Sequence, residues 1–210
     1  MILLPKEFFM QDAMSLAPQL LGKIIMVNPG NDMIISGQIT ETEAYCGLED
    51  LGNHAKDGRR TPKNESMYLE GGHAYVYKCY GVHDMFNVVS GPAETGEAVL
   101  IRAVAPIKNL KQMQLNRNCD YDDYRLTGGP GKVCEALGIT NNHDKMPLYL
   151  VESSIQIYDA GTIIENFVTG PRVGMSRHVG DCSNWPRRFY IAKNKYVSKP
   201  LNVWYDWETN

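Results

Sequence analysis

A carboxylate and an aromatic ring stand two residues apart in the segment 39–45. The segment has the composition of a β-strand, and successive strand side chains point to opposite faces, so Glu41, Glu43 and Tyr45 are predicted to share one face. A carboxylate held beside a flat ring could attack a stacked substrate, or activate water against it. A half-solvated strand whose glutamates face water gives the same pattern, so this window leaves both interpretations open.

One arginine interrupts the apolar run at residues 98–104. Because an unpaired charge is costly to bury, we expect Arg102 to pair with Glu41 or Glu43. The pair could be structural, or it could hold a catalytic carboxylate in its charged form.

Two tyrosine-rich strands, 73–80 and 84–90, are predicted to form a hairpin with Tyr80 and Gly81 at its tip. For Tyr77, inside the first strand, core packing is the ordinary fate. Tyr80 has little to pack against at a tip, and such a ring suits insertion between DNA bases. Asn87, in the return strand, is either a plain strand residue or an amide that discriminates among bases.

No metal or nucleoside-triphosphate site is predicted. His54 could be a surface imidazole or a metal ligand, but no second histidine or cysteine lies at zinc-ligand spacing, so a metal role is not expected. The segment 128–132 ends in Gly-Lys but lacks the spacing of a triphosphate-binding loop. The five cysteines form no Cys-x-x-Cys pair, which favours reduced thiols in a cytosolic setting.

The charge of the chain is unevenly distributed. The net charge is −3, yet residues 171–199 hold seven basic side chains and one acid, and residues 56–63 hold a smaller basic cluster. One cationic face on a neutral body is compatible with phosphate binding, although a solvated basic surface would look the same. With 210 residues, 43% of them hydrophobic, and no apolar run near 20 residues, the chain is predicted to be one globular domain that does not span a membrane.

The elements that must hold these side chains follow from periodicity and breakers. Helices are predicted after Asp12 as N-cap and up to Gly22, and over residues 48–55, 107–116 and 130–137. Further strands are predicted over residues 23–28, 33–45, 98–104, 148–152, 156–159 and 188–192. Strands that follow one another without strict alternation with helices indicate an α+β fold around a mostly antiparallel sheet.

Taken together, these motifs resemble the alkyladenine (3-methyladenine) DNA glycosylase family. The similar segments, in a specific order and spacing, are 41–45, 59–64, 74–77 with 80–81, 100–103 and 129–132. The resemblance implies a single compact domain, residues 1–200, with a curved antiparallel sheet, flanking helices and a protruding β-hairpin. Residues 201–210 would be a C-terminal tail.

The resemblance also implies roles for single residues. Glu43 would orient and deprotonate the attacking water, and Arg102 would position Glu43 or its water. Asn87 would crowd the exocyclic amine of normal guanine. The pocket around the flipped base would be lined by Tyr45, His54 and Tyr77. Tyr80 would be the wedge that fills the gap in the duplex, and further DNA contacts would come from Arg59, Thr61, Val82, His83, Arg172 and Ser176.

The implied function is a monofunctional DNA glycosylase of base excision repair. It would flip alkylated or otherwise damaged purines from duplex DNA and hydrolyse the N-glycosidic bond, leaving an abasic site. No lysine stands out as a Schiff-base nucleophile, and no cofactor is expected. The partner would be double-stranded DNA containing damaged purines, bound by a monomer in the cytoplasm (nucleoid) of a bacterium or the nucleus of a eukaryote; a secreted protein is not expected. Two alternatives stay open: a nucleic-acid-binding module without catalysis, and a nucleoside hydrolase acting on small metabolites.

Overall fold

An antiparallel sheet forms the body of the protein. In a computed structural model, which describes residues 1–28 and 33–199, nine strands join this sheet. They are Ile2–Leu3 (β1), Ile24–Val27 (β2), Ile35–Tyr45 (β3), Ala74–Cys79 (β4), His83–Ser90 (β5), Glu97–Lys108 (β6), Ile155–Asp159 (β7), Phe167–Gly170 (β8) and Arg188–Ile191 (β9). The order across the sheet is β1-β7-β2-β3-β6-β5-β4, and β9 pairs with β3 and β8. Every pairing is antiparallel, and the sheet curls into a half-barrel, which confirms the predicted α+β class.

Short helices cover the sheet. The α-helices of the described residues are Ala13–Gln19 (α1), Leu110–Asn116 (α2), Tyr124–Thr127 (α3) and Pro130–Leu137 (α4). The 3₁₀-helices are Lys6–Phe9, Lys56–Gly58, Glu65–Tyr68, Asn141–His143 and Arg177–Asn184. Asp12 caps α1 as predicted, because its Oδ1 accepts a hydrogen bond from the Ser15 N–H at 2.9 Å. Helix α4 begins at Pro130 and ends before Gly138, which has the left-handed φ of +73° expected after a helix.

The core lies between the middle of the sheet and helices α1 and α4. Strands β3 and β6 pair with each other along most of their length, and α1 packs on β3 while α4 packs on β5 and β6. Fully buried side chains such as Ile39, Ile101, Leu16 and Val133 belong to one hydrophobic cluster. The two longest strands are therefore fixed on both sides, and functional groups placed on them are held rigidly.

Two predicted elements do not form and a third begins later than predicted, and each difference has a local cause. Residues 48–55 form turns instead of a helix, because Asp50 accepts hydrogen bonds from the Cys46 and Gly52 N–H groups. Residues 148–152 also form turns, with the Gln156 amide donating to two of their carbonyl groups. Strand β6 continues to Lys108, so α2 begins three residues later than predicted, after Asn109 at a φ of +61°. Strands β1 and β8 and helix α3 were not predicted, and the tail 201–210 lies outside the described residues.

Candidate active site

The carboxylate of Glu43 is fully buried near the end of β3, two residues before Tyr45. Its Oε1 accepts a hydrogen bond from the Val173 backbone N–H at 2.7 Å and lies 3.3 Å from a terminal nitrogen of Arg102. Its Oε2 accepts a hydrogen bond from the Tyr45 hydroxyl at 3.0 Å. The buried carboxyl group therefore has two hydrogen-bond donors and a nearby cation as partners. The half-solvated interpretation of this strand is therefore wrong.

Strand β3 brings its acids to one place through irregular pairing. Its register with β6 shifts on both sides of Glu41, and β9 pairs with the same stretch from the other side. Residues Thr40, Glu41, Thr42 and Glu43 are all completely buried. The strand is thus covered on both faces at Glu41 and Glu43, and each of these buried acids needs a partner inside the protein.

Arg102 supplies that partner for two glutamates at once. Its Nε donates to Glu41 Oε1 at 2.9 Å, and its NH1 faces Glu43 Oε1. Burial lowers the pKa of Arg102, but the charges of Glu43 and Glu41 outweigh it and raise the pKa above its usual value. The prediction that Arg102 meets Glu41 or Glu43 is confirmed, and the structure shows that it meets both.

A small aromatic cleft opens beside this cluster. The rings of Tyr75 and Tyr77 stack with centroids 5.3 Å apart, and His54 meets the Tyr77 ring edge-on at 4.6 Å. The cleft is lined by Tyr45, Gly52, Asn53, His54, Met67, Tyr75, Tyr77 and Asn87. The four residues assigned to a base pocket (Tyr45, His54, Tyr77 and Asn87) are therefore brought together around one cavity.

The surroundings of the cleft shift the pKa values of its tyrosines and histidine and fix the orientation of its asparagine. Burial raises the pKa of the Tyr45, Tyr75 and Tyr77 hydroxyls, so all three stay protonated and neutral. His54 keeps part of its surface exposed, but its Nδ1 lies 2.7 Å from the Tyr75 hydroxyl. The protein around the His54 ring lowers its pKa, and the nearby Arg59 cation acts in the same direction. The Asn87 amide donates to the Tyr75 and Met85 carbonyl groups, which fixes its orientation.

The hairpin β4–β5 carries Tyr80 at its tip, as predicted. The Tyr80 side chain is 95% exposed, and its backbone has a φ of +51°, followed by Gly81 at +71°. Two consecutive positive φ angles suit a tight hairpin turn, but a bulky residue rarely adopts one. Val82 is 70% exposed and His83 is exposed as well. Among residues 1–28 and 33–199, none covers this ring, so core packing within that part of the chain does not explain its position.

The predicted cationic face at residues 171–199 is wrong for two of its members. Arg172 is buried and holds Asp50 through both terminal nitrogens, at 2.5 and 2.6 Å. Arg188 is buried and donates to Glu41 Oε1 at 2.7 Å. The acids that neutralise these arginines lie far away along the chain, which a local count of charges does not reveal. A direct DNA contact by the Arg172 guanidinium is not compatible with this burial.

Arg172 instead supports the cleft from within the protein. Its guanidinium carbon lies 4.6 Å from the centroid of the Tyr45 ring, a cation–π contact. It also donates to the Ala44 carbonyl at 3.2 Å. Asp50, which sequence reasoning missed, is thereby linked through Arg172 to the wall of the cleft.

The other residues assigned to DNA contacts lie at or near the surface. Arg59 and Ser176 are exposed, whereas Thr61 is half-buried. Thr61 donates twice to Asn64 Oδ1, through its N–H at 2.6 Å and its hydroxyl at 2.8 Å. Ser176 caps a 3₁₀-helix by accepting from the His178 N–H.

The described residues, 1–28 and 33–199, contain no helix with the length and apolar character needed to cross a membrane. They contain no group of three or more histidine, cysteine or acidic side chains placed to hold a metal ion. All five cysteines carry free thiols.

Comparison with known proteins gives consistent matches along the chain. Residues 7–195 match the methylpurine-DNA glycosylase family. The DNA-3-methyladenine glycosylase of Arabidopsis thaliana is 39% identical over 203 residues, covering 97% of this chain and 77% of the plant protein. Proteins of Bdellovibrio bacteriovorus and Clostridium botulinum, provisionally named 3-methyladenine DNA glycosylase, are 37% and 38% identical, and each match covers 94% of this chain and 100% of the relative. These matches confirm the resemblance drawn from the sequence motifs.

Proposed function

We propose, from the premise that this chain belongs to the methylpurine-DNA glycosylase family, that it excises alkylated or otherwise damaged purines from duplex DNA. The purine is flipped into the aromatic cleft, and a water activated by Glu43 hydrolyses the N-glycosidic bond. An abasic site remains. The observation that carries this proposal is the buried Glu43 carboxyl group hydrogen-bonded to Tyr45, a wall residue of the cleft.

The chemistry follows from the charge that develops at the sugar. Cleavage of an N-glycosidic bond passes through an oxocarbenium-like sugar, which a nearby carboxylate stabilises while it accepts a proton from the attacking water. Arg102 and the Val173 N–H hold the Glu43 carboxyl group in position. The proton of the water passes to Glu43, and the bonding electrons leave with the purine.

The departing base needs little acid assistance if it is already cationic. Purines alkylated at N3 or N7 carry positive charge, and the faces of neutral tyrosine rings attract such a cation by about 0.5–2 kcal/mol per contact. Tyr75 and Tyr77 stack on each other, so the aromatic surface is continuous. Asn87, with its amide fixed by two carbonyl groups, would crowd the exocyclic amine of an undamaged guanine.

Glu43 has no exposed surface in the free protein, so water must gain access when DNA binds. A carboxylate has about four acceptor positions, and the Val173 N–H and Tyr45 hydroxyl occupy two of them. We expect a water to take one of the remaining positions when the flipped nucleotide displaces the cleft wall by a small distance.

Binding would use the surface around the cleft. Tyr80 fills the space left by the flipped nucleotide, with Val82 and His83 beside it in the minor groove. Arg59, Thr61 and Ser176 are the other candidates for backbone contacts. Of the described residues, those that line the cleft include no lysine, which supports hydrolysis without strand cleavage. We also propose that the protein acts as a monomer.

A panel of duplexes with single defined lesions tests the proposal. The lesions are 3-methyladenine, 7-methylguanine, hypoxanthine and ethenoadenine, with the free methylated nucleosides as a parallel substrate. We expect release of free base from at least the methylated duplexes, and strand breaks only after alkali treatment. Binding without base release, or release from nucleosides alone, would overturn the proposal in favour of a binding module or a nucleoside hydrolase.

A further inference from the structure

A second buried carboxylate lies behind the proposed base. Glu41 is completely buried, and its Oε1 accepts hydrogen bonds from Arg102 Nε at 2.9 Å, Arg188 Nε at 2.7 Å and the Ser198 hydroxyl at 2.9 Å. Its Oε2 accepts the Ser198 backbone N–H at 2.7 Å. The mechanism above gives Glu41 no task, although a carboxylate with four donors is an expensive group to bury.

Two of those donors come from chain that follows the family match. The match ends at residue 195, and Tyr196 and Val197 are the next side chains, both buried. The Tyr196 hydroxyl bonds to Asp122, and Arg188 donates to the Lys199 carbonyl. Residues 196–199, which we call the C-terminal strap, are therefore anchored to three separate parts of the protein.

The geometry of Arg102 links the strap to Glu43. A guanidinium group is planar and rigid, so fixing one nitrogen aims the others. Glu41 holds the Nε of Arg102, and the Ser198 hydroxyl lies 3.3 Å from its NH2. With those two nitrogens fixed, NH1 is directed at Glu43 Oε1.

Glu41 also balances the charge of two buried arginines. Arg102 and Arg188 both contact its Oε1, so two buried cations converge on one oxygen. Without Glu41 they would repel each other, and Arg102 would be drawn towards Glu43, the other buried acid within its reach among the described residues. A closer pair with Glu43 would weaken that carboxylate as a proton acceptor.

We propose that Glu41 and Ser198 are positioning residues for Arg102, and that Ser198 is the one residue of the C-terminal strap whose side chain supports the active site from behind. This inference rests on the proposed function, because its catalytic meaning depends on Glu43 being the base. Ser198 is the better residue to vary, since replacing Glu41 removes the acidic partner that two buried arginines share.

Single-turnover kinetics with saturating enzyme tests the proposal, because its rate constant does not depend on the fraction of folded protein. We expect Ser198→Ala to lower the rate of base release about tenfold, the scale of one hydrogen bond to a charged group, with lesion-duplex affinity unchanged. Ser198→Thr, which keeps the hydroxyl, should restore the rate. Tyr196→Phe removes a hydroxyl from the same strap without touching Glu41 and should leave the rate unchanged. A wild-type rate for Ser198→Ala, or an equal loss in Tyr196→Phe, would overturn the proposal.

A measurement that needs no activity separates this inference from the proposed function. In ¹⁵N-arginine-labelled protein, the Arg102 Nε–H resonance, assigned with Arg102→Lys, should exchange slowly with solvent in the wild type. Ser198→Ala should speed that exchange about tenfold while Tyr196→Phe does not. Unchanged exchange in Ser198→Ala overturns the inference even if the enzyme excises purines. An inactive wild type with Ser198-dependent exchange overturns the proposed function and leaves the contact between strap and Arg102 supported.

Discussion

The hydroxyl of Tyr45 donates a hydrogen bond to Oε2 of Glu43 at 3.0 Å, so one wall of the aromatic cleft also holds the proposed base. The proposed recognition of the purine and the proposed activation of water would thereby depend on two neighbouring residues of one strand.

Tyr45→Phe separates these two tasks, because it keeps the ring and removes the donor. We expect the single-turnover rate of base release to fall about threefold to tenfold, the scale of one hydrogen bond to a carboxylate, while lesion-duplex affinity stays within about twofold of wild type. Quench-flow release assays and fluorescence anisotropy measure the two quantities. An unchanged or faster rate in Tyr45→Phe would show that the hydroxyl does not orient Glu43.

Tyr80 is predicted to act on DNA and not on the stability of the fold. Its side chain is 95% exposed, so Tyr80→Ala should leave the free energy of unfolding unchanged within about 0.5 kcal/mol. The affinity for a lesion duplex should fall about tenfold, because loss of a stacked ring costs about 1–3 kcal/mol. Val151→Ala, at a position that is 80% exposed and not among the proposed DNA contacts, is the matched control. Equal affinity and equal single-turnover rate for Tyr80→Ala and wild type would refute the wedge.

The buried pair of Asp50 and Arg172 should make the fold sensitive to acid. Burial raises the pKa of Asp50, but the hydrogen bonds and charge of Arg172 outweigh it and hold the pKa below its usual 3.8. The unfolded chain therefore binds this proton more tightly, so the pair stabilises the fold above pH about 3.9, and the contribution disappears as the pH falls towards the lower folded-state value.

Urea denaturation at a series of pH values checks this expectation. Arg172→Met should lower the free energy of unfolding by about 3 kcal/mol at pH 7. Asp50 would lose its bidentate ion pair and, among the described residues, would keep only Arg187 as a cationic partner. Below pH 4 the difference between variant and wild type should shrink. A difference that stays constant from pH 7 to pH 3 would mean that Asp50 is not the group that titrates.

Salt dependence should identify the cations that meet DNA. Arg59 is exposed, and its charge lowers the pKa of His54, a residue of the cleft wall. Arg59→Ala should weaken binding to lesion and undamaged duplexes alike and reduce the slope of log affinity against log salt by about 1. Lys111→Ala, at an exposed position on α2, is the control and should leave the slope unchanged. Identical slopes for Arg59→Ala and wild type would place the phosphate contacts elsewhere.

Those features of the site that follow from neighbouring residues along the chain could be predicted from the sequence alone. Arg102 lies within an apolar run, which predicts a buried charge and an acidic partner, and Glu43 and Tyr45 share a strand face by simple alternation. Tyr80 follows a strand and precedes a glycine, so its place at a hairpin tip was also predictable. These features depend only on neighbours along the chain.

The remaining features depend on contacts between distant residues. Arg172 and Asp50 are 122 residues apart, and Arg188 and Glu41 are 147 apart, so a count of local charge described both arginines as surface residues. The Val173 donor to Glu43 is a backbone N–H, which every residue except proline has. Asp50 also ends the predicted helix at 48–55 by binding backbone N–H groups, a competition that helical periodicity does not register.

The central claim, that Glu43 activates the attacking water, is tested most directly by Glu43→Gln. The amide keeps the size of the side chain but cannot accept the proton, so base release from a 3-methyladenine duplex should fall by at least about a thousandfold while lesion binding persists. Glu152→Gln, at an exposed position, should behave as wild type. Single-turnover release of free base is the measurement: no detectable release with retained binding is the predicted result, and near-normal turnover by Glu43→Gln would contradict the account.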